Sequence, residues 1–218
     1  APRAAPPDDV ANATDAATEG EAAAEAANLA AALAAVDACS RADASDGDWC
    51  PLLDFAVSAT AREAHDVLFA TDHYERFLAA SGDVDVAGEA WVARRAGGRA
   101  SSTRTIRLRH PLAVPVPSWV GATTVPTVKH QRSFIPRAVV EESSFRNIPF
   151  ADALAVRTVW LVDDGRVRVF FRADAAPGFP SWLERLLVAK TRAELEAVFF
   201  SWRDRAVAAL GERENARS

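Results

Sequence analysis

The chain has 218 residues, half of them hydrophobic, and a formal net charge of −5. This length suits one well-packed domain, and no run of 18 apolar residues is present that would span a bilayer. Residues 1–48 hold ten acidic residues against two arginines, a net charge of −8, which leaves +3 for the remainder. A mildly basic folded part does not indicate a nucleic-acid-binding protein, and no secretory signal pattern is visible.

Residues 1–48 consist mainly of alanine, acidic residues and proline. Such a segment cannot bury enough apolar area to offset its ordering entropy, so we expect an acidic linker that is disordered or partly helical. Its high helix propensity leaves a partner-binding helix as the alternative. The folded domain is expected over 49–211, with a tail over 212–218. Cys39 and Cys50 are expected to be free thiols, because two cysteines form no disulfide framework.

Alternating apolar residues and turn signals predict an antiparallel sheet after a helical pair. The first short helix is capped by Ser58 or Thr60 and ends at Phe69, and the second begins at Asp72 and ends at Gly82. One strand precedes this pair, and about six strands follow it. The segments that favour strands are 52–57, 84–93, 103–110, 128–135, 138–145, 154–162 and 166–173.

The last two predicted strands flank Asp164-Gly165, a strong signal for a two-residue hairpin turn. This turn sets the cross-strand register, and the register decides which side chains share a face. The pairs are Val162 with Val167, Trp160 with Val169, and Thr158 with Phe171. The arginines Arg157, Arg166, Arg168 and Arg172 lie on the opposite face.

A long helix is predicted over 180–210. Ser181 with Glu184 makes a capping box at its start, and apolar residues then recur at spacings of three and four. Thr191 with Glu194 repeats the capping pattern, so a break near Lys190 is an alternative. Strands followed by one final helix predict an α+β fold, with the helix lying across a curved antiparallel sheet.

The space between sheet and helix is the predicted binding site. It could be a filled core or an apolar cavity for a lipid-sized ligand, and periodicity does not separate the two. The side chains that would line a cavity are Ile106, Leu108, Val128, Phe145, Thr158, Trp160, Val169, Phe171, Leu183, Leu187, Phe199 and Trp202. The apolar, proline-rich stretch 111–126 would form a lid through Val116, Trp119 and Val120.

A basic group, Arg94, Arg95 and Arg99, lies close to this apolar stretch in sequence. Basic residues on a strand usually form a solvated face. Beside an exposed apolar loop they would suit docking on an anionic membrane, at about 1 kcal/mol per basic residue near the surface.

The sequence contains few of the residue patterns that are typical of catalytic sites. The four histidines (His65, His73, His110 and His130) follow no metal-ligand spacing, and the first two are expected on a helix surface. Neither a phosphate-binding glycine loop nor a nucleophile elbow is present. Glu141 and Glu142 point to opposite faces of a strand, and one inward carboxylate does not make an acid/base pair. We therefore expect no enzyme, no metal and no cofactor.

Several short motifs follow one another in a fixed order over 52–205. They are Val67-Leu68-Phe69 with Asp72, Trp91, Arg104-Thr105-Ile106-Arg107-Leu108 before Pro111-Leu112, Gln131 with Val139-Val140-Glu141, Ile148-Pro149-Phe150-Ala151-Asp152, and Trp182-Leu183-Glu184. In this order they resemble the VASt domain, a relative of the StAR-related lipid-transfer fold found in GRAM-domain sterol transporters. Phe150 and Ala151 depart from the family's Tyr-Gly, and Leu154 stands where an aromatic residue is common.

The resemblance implies a helix-grip (StART-like) fold that binds a lipid, a sterol first of all, and transfers it between membranes without vesicles. It implies a monomeric domain without cofactor, touching membranes transiently on their cytoplasmic side. Contact sites would be reached through GRAM and transmembrane parts of a longer protein. Two alternatives stay open. One is a helix-grip enzyme of cyclase or hydratase type that uses an inward acid such as Glu141, and the other is a ligand-free module that binds a protein or a membrane.

Overall fold

The computed structural model describes residues 9–41, 49–96, 99–111, 124–146, 154–176 and 181–215. Within these ranges the chain has an α+β fold. The helices are α1 (Asp9–Arg41), α2 (Ala61–Leu68), α3 (Thr71–Ala80) and α4 (Ser181–Asn215). The strands are β1 (Cys50–Ala56), β2 (Val84–Gly88), β3 (Val92–Ala96), β4 (Arg99–Pro111), β5 (Thr124–Phe134), β6 (Ala138–Phe145), β7 (Leu154–Asp163) and β8 (Arg166–Ala175).

The described strands form one curved, unclosed antiparallel sheet in the order β1-β8-β7-β6-β5-β4-β2, with β3 also paired to β4. The sequence predicts about six strands after β1, whereas the structure has seven. The difference arises because the predicted strand over 84–93 is divided into β2 and β3, and both pair with the long strand β4. β6 keeps the bounds predicted for it.

The β7–β8 hairpin confirms the register predicted from its turn. Trp160 lies opposite Val169, and the other two predicted pairs are also present. Gly165 has a φ of +77°, a conformation that favours glycine at this turn position. All six paired side chains are buried on one face of the sheet, which we call the inner face.

Three helices cover the inner face. Thr60 caps α2 as predicted, since its hydroxyl accepts the Glu63 N–H and the Glu63 carboxylate accepts the Thr60 N–H. Gly82, with a φ of +97°, follows α3 at the predicted point. α4 is continuous through Lys190, so the alternative of a break there is not seen. The C-terminal half of α4 contributes Phe199, Trp202 and other buried side chains to the core.

The opposite, outer face carries the long helix α1. Ala32 and Cys39 pack against Val140, Val159 and neighbouring apolar residues of β6, β7 and β8. Residues 1–48 are predicted as a linker, disordered or partly helical, yet 9–41 form one helix. The side chains that it packs against the sheet are small or medium-sized (Ala32, Ala35, Val36 and Cys39), and the larger apolar partners include Leu161 and Phe170 of the sheet. The low-complexity composition therefore hides this contact from sequence reasoning.

Candidate functional site

Most of the residues predicted to line a cavity lie together on the inner side of the sheet. They are Ile106, Leu108, Thr158, Trp160, Val169, Phe171, Phe199 and Trp202, all of them buried. Strands β4, β7 and β8 contribute the first six, and α4 contributes Phe199 and Trp202. The face assigned to them from strand alternation and helix periodicity is therefore the one that they occupy.

The remaining predicted residues divide into two groups. Val128 lies on the outer face, because it is paired with Arg107 and Ser144, and Phe145 is half-buried on the inner face opposite Thr127. Val128 is displaced from the interior because polar side chains occupy the inward positions of β5, and a shift of one residue reverses the face. The structure describes only the backbone of Leu183, Leu187 and Arg99. The predicted lid residues Val116, Trp119 and Val120 lie outside the described residues.

Aromatic rings fill the space between the sheet and the C-terminal half of α4. Trp160 contacts Phe69 edge-on at a centroid distance of 5.6 Å and Phe199 at 5.8 Å. Phe199 in turn contacts Trp202 at 6.1 Å, and Phe55 of β1 contacts Trp202 at 6.0 Å. Edge-to-face pairs at such distances are typical of close-packed interiors. At this end of the interface the predicted lining residues therefore form core.

A buried carboxylate, Glu141, lies on the inner face beside this aromatic core. Its exposed fraction is 2%, and both of its oxygens accept hydrogen bonds. The Tyr74 hydroxyl donates to Oε2 at 2.8 Å, and Gln131 Nε2 donates to the same oxygen at 2.6 Å. The Lys129 ammonium donates to Oε1 at 2.7 Å. We call Tyr74, Lys129, Gln131, Glu141 and Arg104 the polar cluster. Three donors, one of them cationic, satisfy a charge whose unpaired burial would be very costly.

Arg104 extends the polar cluster towards β2 and β3. Its Nε donates to Gln131 Oε1 at 2.7 Å, and its guanidinium lies over the Trp91 ring at 4.3 Å and the Tyr74 ring at 5.2 Å. Trp91 is held in place by a hydrogen bond from its Nε1 to the Phe69 carbonyl. Arg104 Nη2 is buried and has no hydrogen-bond partner within the described ranges. Stacking on two rings stabilises this cation where few acceptors are available.

Burial and charge shift two pKa values in this cluster. The pKa of Tyr74 lies well above its usual value, because burial and then the neighbouring Glu141 carboxylate oppose the phenolate. Burial lowers the pKa of the Arg104 guanidinium, and the negative charge of Glu141 partly offsets that effect. In the folded protein, Tyr74 therefore stays protonated near neutral pH and remains a hydrogen-bond donor.

A second buried pair joins α2 to β5. His65 Nε2 lies 2.6 Å from the Ser133 hydroxyl, and His65 Nδ1 lies 3.7 Å from an oxygen of Asp66. The residue types are those of a nucleophilic triad. Ser133, however, has no exposed surface, so a substrate cannot reach it in this arrangement. The prediction that His65 lies on a helix surface is wrong, since it is buried and desolvation lowers its pKa.

Sequence reasoning identified Glu141 as a possible inward acid but missed its partners. Strand alternation alone could have placed Gln131 and Lys129 on the same face, because β5 and β6 are neighbours in chain and sheet. Tyr74 comes from α3, and no local pattern in the sequence connects it with Glu141. The cluster provides donors, one carboxylate and the Lys129 ammonium, whose side chain is 17% exposed. Such a set can hold a single polar group of an otherwise apolar ligand.

The described residues contain no group of three or more potential metal-ligating side chains. None of the helices in the same ranges combines the length and hydropathy that crossing a membrane requires.

No family model matches the sequence, and no curated protein matches it. Among solved structures, the chain is similar to the protein TTHA0849 from Thermus thermophilus, at 13% sequence identity and a TM-score of 0.45. The similarity covers 72% of this chain and 96% of that one. A score this low carries no argument about fold family or function.

Proposed function

We propose that the domain binds a lipid of sterol type and transfers it between membranes, using the inner side of the sheet and α4. The observation that carries the proposal is the composition of the inner face. It is largely apolar and aromatic, and its polar parts include the hydrogen-bonded polar cluster, in which the Lys129 side chain is partly exposed, and the buried His65–Ser133 pair. An apolar wall with few convergent polar groups is the usual form of a small-molecule site.

The order of the elements supports a helix-grip fold for this proposal. After α1, one strand, two short helices, an antiparallel run and a long final helix follow each other, and β1 pairs with β8, so the first and last of the described strands lie side by side. The described buried side chains of α4 come from its C-terminal half and pack with β1, β8 and α2. The inner face of β4, β5 and β6 is therefore the part of the sheet proposed for the ligand, with α4 as the opposite wall.

Binding would rest on desolvation, with the polar cluster fixing orientation. At about 25 cal/mol per Å² of apolar area, sequestering several hundred Å² contributes several kcal/mol. The hydroxyl of a sterol is a single donor and acceptor, which matches the Lys129–Glu141 pair. Arg94 and Arg95 are exposed on β3 and would contact anionic headgroups during transfer, on the cytoplasmic side of membranes.

The test is fluorescent-sterol binding together with sterol exchange between donor and acceptor liposomes. A sterol whose hydroxyl is methylated serves as the matched ligand, because it keeps the apolar area and loses the donor. We expect saturable binding of the free sterol, faster exchange than in liposomes alone, and binding of the methyl ether weaker by about tenfold. Absence of both binding and exchange refutes the proposal. Equal affinity for the two ligands refutes the role of the polar cluster.

A second candidate function is an enzyme of cyclase or hydratase type, favoured by the buried carboxylate with its tyrosine and lysine partners. Glu141 would then exchange a proton with an apolar substrate. Mass spectrometry of ligand recovered after incubation separates the two candidates. Unchanged ligand supports transfer, whereas a gain of water or a new isomer that disappears in Glu141→Gln supports the enzyme.

A further inference from the structure

A second space lies on the other side of the sheet, between α1 and the outer face. It measures about 680 Å³ and is partly open to solvent. Small-molecule sites usually enclose roughly 300–1,000 Å³, so its size is that of a ligand site. We call this space the outer slot. The sheet separates the outer slot from the inner face. Of the polar cluster, Arg104 on β4 and Gln131 on β5 border the slot, and Tyr74, Lys129 and Glu141 do not.

One wall of the outer slot is a polar row that crosses five strands. Strand register places Thr105 opposite His130, His130 opposite Glu142, Glu142 opposite Arg157, and Arg157 opposite Arg172. The row therefore runs from β4 to β8 in adjacent positions on one face. A ligand along it would meet hydrogen-bonding and charged groups over its whole length.

The other wall, formed mainly by α1, is mostly small and apolar, with Glu25 and Asn28 as its polar members. α1 presents alanines to the slot, among them Ala31 and Ala35, and Trp49 and Val140 continue this surface. Ala32, which also borders the slot, packs together with Cys39 against apolar residues of the sheet, so close contact and open space adjoin along this side of α1. The slot is thus amphipathic across its width.

The charges that border the slot favour an anion. Arg132 is paired with Glu25 at 2.8 Å, and Arg157 is paired with Glu142 at 2.8 Å and with Asp174 at 3.2 Å. Arg94 differs from them, because the partner that the described residues provide for its Nε is the Thr103 hydroxyl at 3.3 Å. A guanidinium that has no carboxylate partner among the described residues is a suitable site for one carboxylate or phosphate group.

We propose that the outer slot binds a small amphipathic anion, with its apolar part against the alanines of α1 and its anionic group at Arg94. The proposal does not depend on the lipid site of the inner face. The ligand class is recognised by two features together, one negative charge and an apolar chain or ring of moderate size.

The test uses calorimetric titration of the full chain with decanoate below its micelle concentration, and with decanol as the uncharged probe of equal length. We expect saturable binding of decanoate and binding of decanol weaker by at least about tenfold, since a charge-assisted hydrogen bond is lost. Equal affinities for the two probes overturn the proposal, as does the absence of any decanoate binding.

Two matched pairs of variants locate the ligand. Arg94→Gln should weaken decanoate binding by about tenfold, whereas Arg95→Gln, at the exposed neighbour outside the slot, should leave it unchanged. Ala31→Phe should block the slot, whereas Ala30→Phe places the same ring on an exposed position that does not border it. Circular dichroism of each variant checks the fold. Decanoate binding that survives both Arg94→Gln and Ala31→Phe lies elsewhere and refutes the inference.

Discussion

Replacing Tyr74 by phenylalanine isolates one hydrogen bond in the polar cluster. The variant keeps the ring, which is 1% exposed and contacts Phe77 and Trp160 edge-on. It removes only the hydroxyl that donates to Glu141 at 2.8 Å. A hydrogen bond to a charged group contributes about 1.5–3 kcal/mol, so we expect urea unfolding to show a loss of stability in that range with an unchanged m-value.

A double-mutant cycle with Glu141→Gln tests the reason for this magnitude. The amide removes the charge but retains an acceptor, and Lys129 is exposed enough for its ammonium to reach water. In that background Tyr74→Phe should cost about 1 kcal/mol less, because neutral hydrogen bonds contribute about 0.5–1.5 kcal/mol. The same cost in both backgrounds, or a cost below about 0.5 kcal/mol in the native background, would refute the reasoning.

Alkaline titration gives an independent readout, because Tyr74 is the only tyrosine of the chain. The folded protein holds its phenol proton above the ordinary pKa of about 10, whereas the unfolded chain releases it there. The unfolded state then binds fewer protons, so this contribution to stability is complete below about pH 10 and is lost as pH rises. We expect phenolate absorbance to appear only together with unfolding. Phenolate absorbance near the ordinary pKa in folded protein would contradict the buried hydrogen bond.

Two further predictions concern α2. His65 has a lowered pKa, so protonation favours the unfolded chain and stability should decline as pH falls below about 6.5. In His65→Gln, which can still bond Ser133, urea midpoints between about pH 7 and about pH 5 should vary less than in the native protein, and identical curves would exclude this role. Thr60→Ala removes the N-cap of α2 and should cost about 1 kcal/mol in urea unfolding, whereas Thr60→Ser should cost much less. Equal losses in the two variants would show that the cap hydroxyl is not what stabilises the helix.

The parts of the fold that sequence reasoning predicted are those with a short-range cause. Asp164-Gly165 specifies the β7–β8 register within a few residues, and the Thr60 capping box specifies the start of α2. Alternation placed Arg104 with Ile106 on the inner face, although a charged residue there contradicts the usual rule. These signals act within one or two elements, so no knowledge of the tertiary structure is needed.

The parts that were missed depend on contacts between distant segments. The Tyr74 hydroxyl, which donates to Glu141, comes from a helix 67 residues earlier in the chain, and no local pattern connects the two residues. α1 resembles a linker because most of its side chains are small, and the sheet supplies much of the partner surface. The amino-acid composition of a segment gives its own side chains but does not identify the surface that it packs against.

The pairing of β1 with β8 has a consequence for the order of folding during synthesis. Cys50 lies opposite Phe171, and the Asp164 carboxylate accepts the backbone N–H of Ala61 across 103 residues. The first strand therefore cannot find its neighbour until nearly the whole domain has left the ribosome. Contacts of such long range slow folding and leave apolar strands uncovered in the meantime. Until then the nascent chain must keep β1 and the apolar faces of α2 and α3 from pairing with the wrong partner, a task suited to a chaperone that binds short hydrophobic segments.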